Sequence, residues 1–175
     1  FFFSYFLMAH IKDFIAKRIK NFDTFPEMNT KWPNDILLDS RKISGLLIEN
    51  NVNKKQFVIG IGININQELF SPEIKDKAIS LKNFIGYDVD RTDFLIDLLS
   101  VYSHNIHLLL GKNHDLIYKL WKNSCNLVGK KVIFIDGSGT QRSGKIIDLC
   151  KDGGMKLMVN EEILTFYSGE VTLSK

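Results

Sequence analysis

The segment Ile59-Gly60-Ile61-Gly62-Ile63-Asn64-Ile65-Asn66 is compatible with very few structures. Isoleucine recurs at every second position, and a strand sends alternate side chains to opposite faces. Ile59, Ile61, Ile63 and Ile65 therefore form one β-branched core stripe, while Gly60, Gly62 and Asn64 share the other face. Two glycines on one face weaken a strand and leave its backbone bare. They are either bulges and close-packing points under a helix, or the bed of a flat ligand. A second glycine-bearing strand, Ile43 to Glu49, is expected to pair alongside. Aligned registers would join Gly45, Gly60 and Gly62 into a slot floored by main chain. Asn64 would stand at its end to donate and accept hydrogen bonds. The alternating pair followed by asparagine favours the ligand. A dinucleotide loop is disfavoured, since the third glycine and the following helix are missing.

The flanking sequence predicts an α+β chain. Leu7, Met8, Ile11, Phe14, Ile15 and Ile19 recur at helical spacing within Ser4 to Lys20. Asn21 to Thr30 reads as loop, followed by a strand approaching Lys31-Trp32. Pro33 biases Trp32 toward extended geometry, and Asn34-Asp35 suits a turn. Ile36 to Leu38, Ile43 to Glu49 and Gln56 to Asn66 make an antiparallel run, with a polar connection at Asp39 to Lys42 and hairpin chemistry at Asn50 to Lys55. A short helix follows at Ser80 to Ile85. Asp90 or Thr92 caps a longer one that buries Phe94, Leu95, Leu98, Leu99, Tyr102, Ile106 and Leu109 and ends at Gly111. His114 to Asn123 is a further helix, and Trp121 and Phe134 read as core. Beyond Gly129, short strands at 131–135, 141–149, 155–159, 163–167 and 170–173 alternate with glycine turns. Five short strands in this space predict a small SH3-like barrel. The domains are expected at residues 1–128 and 129–175.

Composition removes several functional classes. Net charge is +3 over 175 residues, too weak and scattered for a nucleic-acid surface. Cys125 and Cys150 form no CxxC and no metal cluster, which fits a reducing cytoplasm. The apolar start, Phe1 to Ala9, is too short to span a bilayer and lacks the flanks of a signal peptide. No Ser-His-Asp constellation is legible, and His10, His104, His107 and His114 have no metal spacing. Arg41-Lys42 precedes the slot strand directly. An ammonium there would meet a carboxylate or phosphate at the slot mouth and stabilise charge developing in phosphoryl or acyl transfer.

Three motifs then agree in order and spacing: Lys31-Trp32-Pro33-Asn34-Asp35, Arg41-Lys42-Ile43-Ser44-Gly45-Leu46-Leu47-Ile48-Glu49, and Gly60-Ile61-Gly62-Ile63-Asn64. Together they resemble biotin–protein ligases, whose pattern is KWPND, RKxxG followed by apolar residues and Glu, and GxGxN. The resemblance implies a partial catalytic domain related to class II aminoacyl-tRNA synthetases, with a mixed or antiparallel sheet and flanking helices, followed by the SH3-like domain. It implies ATP-dependent formation of biotinyl-5′-AMP with Mg2+, then attack by a lysine of a biotin carboxyl carrier protein of acetyl-CoA carboxylase. Lys42 corresponds to the catalytic lysine that contacts the biotin carboxylate and the adenylate phosphate. Gly45, Leu47 and Gly60 correspond to the biotin slot, and Asn34 and Asn64 to positions near adenine and phosphate. Lys31, Trp32 and Asp35 shape that nucleotide pocket, and the terminal domain covers the ATP site and helps dock the carrier.

The family's upstream glycine/arginine-rich loop and an earlier biotin-contacting motif have no counterpart in Phe1 to Thr30, so an N-terminally truncated ligase is expected. No DNA-binding module is legible, so no repressor role is expected. One alternative is a non-catalytic remnant that dimerises through the edge of the Ser44 to Glu49 strand. Another is a lipoate ligase, against which the RKxxG and GxGxN details argue.

Overall fold

The computed structural model describes residues 1–19, 25–51, 53, 56–111 and 113–174. Residues 20–24, and part of the expected hairpin at Asn50 to Lys55, lie outside the described residues. The order is α1 (Phe2–Arg18), β1 (Met28–Lys31), β2 (Asp35–Leu38), β3 (Arg41–Asn51), β4 (Gln56–Ile63), α2 (Leu81–Ile85), α3 (Arg91–Leu110) and α4 (His114–Ser124). Then follow β5 (Lys131–Ile135), β6 (Gln141–Leu149), β7 (Met155–Val159), β8 (Glu162–Phe166) and β9 (Glu170–Leu173). The chain is α+β, with two antiparallel sheets ordered β1-β2-β3-β4 and β8-β7-β6-β5-β9. Among the described residues no pairing closes β8 onto β9, so the expected barrel stands here as a five-stranded antiparallel sheet.

Helix α1 underlies the first sheet. Leu7, Ile11 and Ile15, four apart and fully buried, form its inner stripe. Ile36, Leu38, Ile43 and Leu46 meet it from the sheet, and Phe94, Leu98 and Tyr102 from α3. Each such side chain contributes about 1.5–3 kcal/mol on burial. Asp90 caps α3, its Oδ1 accepting from the amides of Thr92 at 2.8 Å and Asp93 at 3.1 Å. Leu95 and Leu99, expected in the core, are 51% and 55% exposed. They sit about 100° around the helix from Phe94, Leu98 and Tyr102, the residues of α3 that are buried.

A second core joins the second sheet to earlier residues. Val132, Phe134, Ile146, Leu149, Met155, Leu157 and Val171 bury together with Trp121, Cys125 and Leu127, and also with Trp32 from the first sheet. Trp121 and Phe134 are thus core, as read. Burial pushes the Cys125 thiol up to about 11, so it stays protonated. No helix among the described residues is long and apolar enough to cross a membrane.

Candidate functional site

One row of partners crosses all four strands of the first sheet. Lys31 pairs with Asp35, Asp35 with Gly45, and Gly45 with Gly62. The next row on the same face is Leu47 opposite Gly60. The three glycines are therefore brought onto one face, as the alternation predicts, while Ser44 and Leu46 face inward and are buried.

None of the three has a positive φ, so the backbone does not demand glycine there. A Cβ at Gly60 would lie 3.6 Å from the Leu47 carbonyl oxygen, and one at Gly62 would lie 3.8 Å from that of Gly45. Both are ordinary contacts. Close packing under a helix is thereby excluded as the reason for these glycines. Above them lies a cavity of about 650 Å³ lined by Asn34, Lys42, Ser44 to Leu47, Gly60 to Asn64 and Gln67.

Gly45 differs from the other two. A Cβ there would approach Lys42 Cε and Nζ to 3.1 Å and Asp35 Oδ1 to 3.3 Å. Lys42 and Gly45 are three residues apart, and strict alternation would put them on opposite faces. A bulge prevents this: Ser44 pairs with Ile36, and Lys42 pairs with Leu37, leaving Ile43 extra. Ile43 and Ser44 both turn inward, at 0% and 2% exposure, and Lys42 emerges beside Gly45. Its ammonium meets Asp35 Oδ1 at 2.6 Å and its side chain is half exposed.

The backbone of Lys42 is clamped. Its amide donates to the Lys77 carbonyl at 2.7 Å, and its carbonyl accepts from the Ile79 amide at 3.0 Å. Asn64 Nδ2 adds bonds to the carbonyls of Lys42 at 3.2 Å and Ile79 at 3.1 Å. Strand β4 therefore stops at Ile63, short of the expected Asn66, because residues 77–79 take over beside β3. Asn64 spends its donors on main chain and keeps its Oδ1 as an acceptor. Asn34 does similar work: Nδ2 donates to the Leu46 carbonyl at 2.5 Å, and its own carbonyl accepts from the Leu46 amide at 2.9 Å.

A second cavity, of about 800 Å³, adjoins the first. Lys31, Trp32, Asp35 and Leu37 line one wall and β9, from Gly169 to Leu173, lines another. Asn34, Lys42 and Asn64 line both cavities and so mark their junction. Phe70, Ile74 and Lys77 also line this cleft and were missed in the sequence reading. Phe70 and Ile74, four apart in a mostly polar segment, were the available signal, although Leu69 beside them is exposed. The expected dimer edge, Ser44 to Glu49, is covered in part. At Ser44 and Gly45, β3 is flanked by both β2 and β4, whereas from Leu47 to Glu49 it pairs with β4 alone; the sheet's outer strands are β1 and β4.

Residues 3–66 match the model of the Biotin/lipoate A/B protein ligase family. Within that class the likeness runs to biotin protein ligases. The chain is 30% identical over 152 residues to the bifunctional ligase/repressor BirA of Bacillus subtilis, taking in 84% of this chain and 46% of that protein. It is 33% identical over 134 residues to the biotin–[acetyl-CoA-carboxylase] ligase of Paracoccus denitrificans, covering 73% of this chain and 55% of that one. The biotin protein ligase of Aquifex aeolicus superposes with a TM-score of 0.75 at 27% identity, covering 99% of this chain and 74% of that one. The Aquifex enzyme in complex with biotin and ATP superposes at 0.71, covering 71% of that chain. The chain thus resembles biotin protein ligases in sequence and fold over most of its length, and it spans about half the length of the curated relatives it matches.

Proposed function

We propose that this chain carries the biotin slot and part of the nucleotide site of an ATP-dependent biotin ligase. Its chemistry joins the biotin carboxylate to AMP, releasing pyrophosphate, and passes the biotinyl group to a lysine amine of a biotin carboxyl carrier protein. The observation that carries this reading is the side-chain-free floor of the smaller cavity, where glycines 60 and 62 have no structural reason to be glycine. The flat ureido ring of biotin fits a floor of peptide groups.

Lys42 stands where the two cavities meet, which is where a carboxylate in the slot and a phosphate in the cleft would come together. Its ammonium would exchange Asp35 for the ligand's anionic oxygens and hold the charge that builds on the attacked phosphate and later on the departing AMP. The attacking amine comes from the carrier, so no nucleophile is required of this chain. Asn34 and Asn64 fix the junction's backbone, and the Oδ1 of Asn64 is left to accept from the nucleotide. Asp35 and Glu170 are carboxylates lining the larger cleft, and Asp35 is engaged by Lys42. Magnesium would be held chiefly by the ATP phosphates, and Asp35, released once Lys42 turns to the ligand, is a carboxylate that would join them.

Calorimetric titration of the 175-residue chain with biotinyl-5′-AMP tests the reading. Binding is expected, with lipoyl-AMP competing poorly, and Lys42→Ala should weaken it by about tenfold to a hundredfold, as losing a charged hydrogen-bond partner does. Binding that ignores Lys42→Ala, or a preference for lipoyl-AMP, would overturn it. Self-association is a second property we propose, through the far end of the β3–β4 hairpin. Strand β4 is one of the sheet's two outer strands, and Leu47, Ile48, Phe57 and Val58 at the far end of its hairpin are 51–67% exposed.

A further inference from the structure

Trp32 sits in the connection between β1 and β2, yet its side chain belongs to the second core. It is 2% exposed, its ring centroid lies 6.3 Å from that of Phe134, and its Nε1 donates to the Gly153 carbonyl at 2.8 Å. Gly153 lies in the turn between β6 and β7, at a φ of 92° that favours glycine. One bond thus ties the tip of the second sheet to the first sheet's turn. Two residues further, Asn34 holds both main-chain groups of Leu46, and the next residue, Asp35, holds the Lys42 ammonium. Only Pro33 separates Trp32 from these two, and it has little freedom to absorb a displacement. A parallel tie, Thr30 Oγ1 to Ser124 Oγ at 2.9 Å, fixes the start of the same segment against α4.

We propose that Trp32 is a positioning residue: through the Gly153 bond the second sheet aims Asn34 and Asp35, and through them Lys42. The indole lines the larger cleft with only 2% of its surface exposed, and its positioning role runs through the chain. The consequence for ligation rests on the function proposed above, but the geometric claim can be tested without any ligand. Trp32→Phe keeps an aromatic ring in the core and deletes the donor together with some ring volume, and the Leu157→Val comparison accounts for the loosened packing. In the ligand-free chain, acetylation of Lys42 by N-hydroxysuccinimidyl acetate, read by mass spectrometry against Lys145, reports how firmly Asp35 holds the ammonium. Trp32→Phe should raise Lys42 labelling by about threefold to tenfold, the factor equivalent to one hydrogen bond. Asp35→Ala should do the same. Leu157→Val, which loosens the same core without touching the tie, should leave labelling unchanged.

In the second arm, Trp32→Phe should weaken biotinyl-5′-AMP binding, and the loss should not add to that of Lys42→Ala, since both act through one group. Unchanged Lys42 labelling in Trp32→Phe, or an equal rise in Leu157→Val, overturns the proposal. Raised labelling in a chain that binds no adenylate keeps the positioning role and removes the ligase reading instead.

Discussion

At the scale of single residues, Gly45 and His10 show two ways a side chain, or its absence, carries consequence. The ion pair of Lys42 and Asp35 occupies the space a Cβ at 45 would enter. The obstructing atoms are the far end of a flexible lysine, so Gly45→Ala should fold nearly as well as the parent. The Lys42–Asp35 pair would shift by a few tenths of an ångström, and affinity for biotinyl-5′-AMP should fall by up to about tenfold, the scale of one weakened charged contact. Calorimetry beside a thermal melt separates the two effects. His10 is buried between α1 and α3, its ring 4.7 Å from that of Phe94, and its Nε2 has no partner among the described residues. Burial lowers its pKa below the usual value, against a smaller upward pull from Asp97, the Phe94 backbone and Asp13, with Lys17 adding to the lowering. Above pH about 6.5 the ring is neutral folded and unfolded, so it adds no pH dependence. As pH falls from there through the lowered folded value, the unfolded chain takes up the proton first and stability drops. Urea unfolding at pH 7.5, 6 and 5 should show that slope, and His10→Leu should flatten it.

At the scale of elements, turns and bulges decide more than strand propensity does. The connection read as Asp39 to Lys42 tightens to Asp39-Ser40, both at positive φ, so that β3 begins at Arg41. Asn160-Glu161 does the same between β7 and β8, with Glu161 at φ 69°. Two-residue hairpin turns of this hand favour glycine at the second position. Glu161→Gly should therefore raise stability by about 0.5–1 kcal/mol, the left-handed penalty less the entropy glycine adds to the unfolded chain. The urea midpoint should rise with an unchanged slope.

At the scale of the whole molecule, two cores meet along α1, α4 and the turn at Trp32, and the larger cleft opens between the two sheets. The far end of the β3–β4 hairpin extends beyond this body and exposes apolar side chains on both faces. Sedimentation velocity is expected to show association of the parent chain, and Phe57→Lys should give monomers by placing a charge on the outer strand. Equal association in both would remove β4 as the contact.

Read alone, the sequence determined the strands and helices, the glycine face and the lysine that serves it, because alternation and motif spacing are local properties of the chain. Alternation put glycines 60 and 62 together without reference to anything distant. What folding alone decided is the face on which Lys42 emerges. A single extra residue at Ile43 reverses the side-chain direction, and only the pairing with β2 shows it. The same holds for Trp32, which lines the larger cleft and also anchors in a core assembled about a hundred residues later, a long-range contact no local pattern records. Leu95 and Leu99 were misjudged for a related reason: helical periodicity reports an apolar face, but which part of it is covered depends on a neighbour the periodicity cannot see.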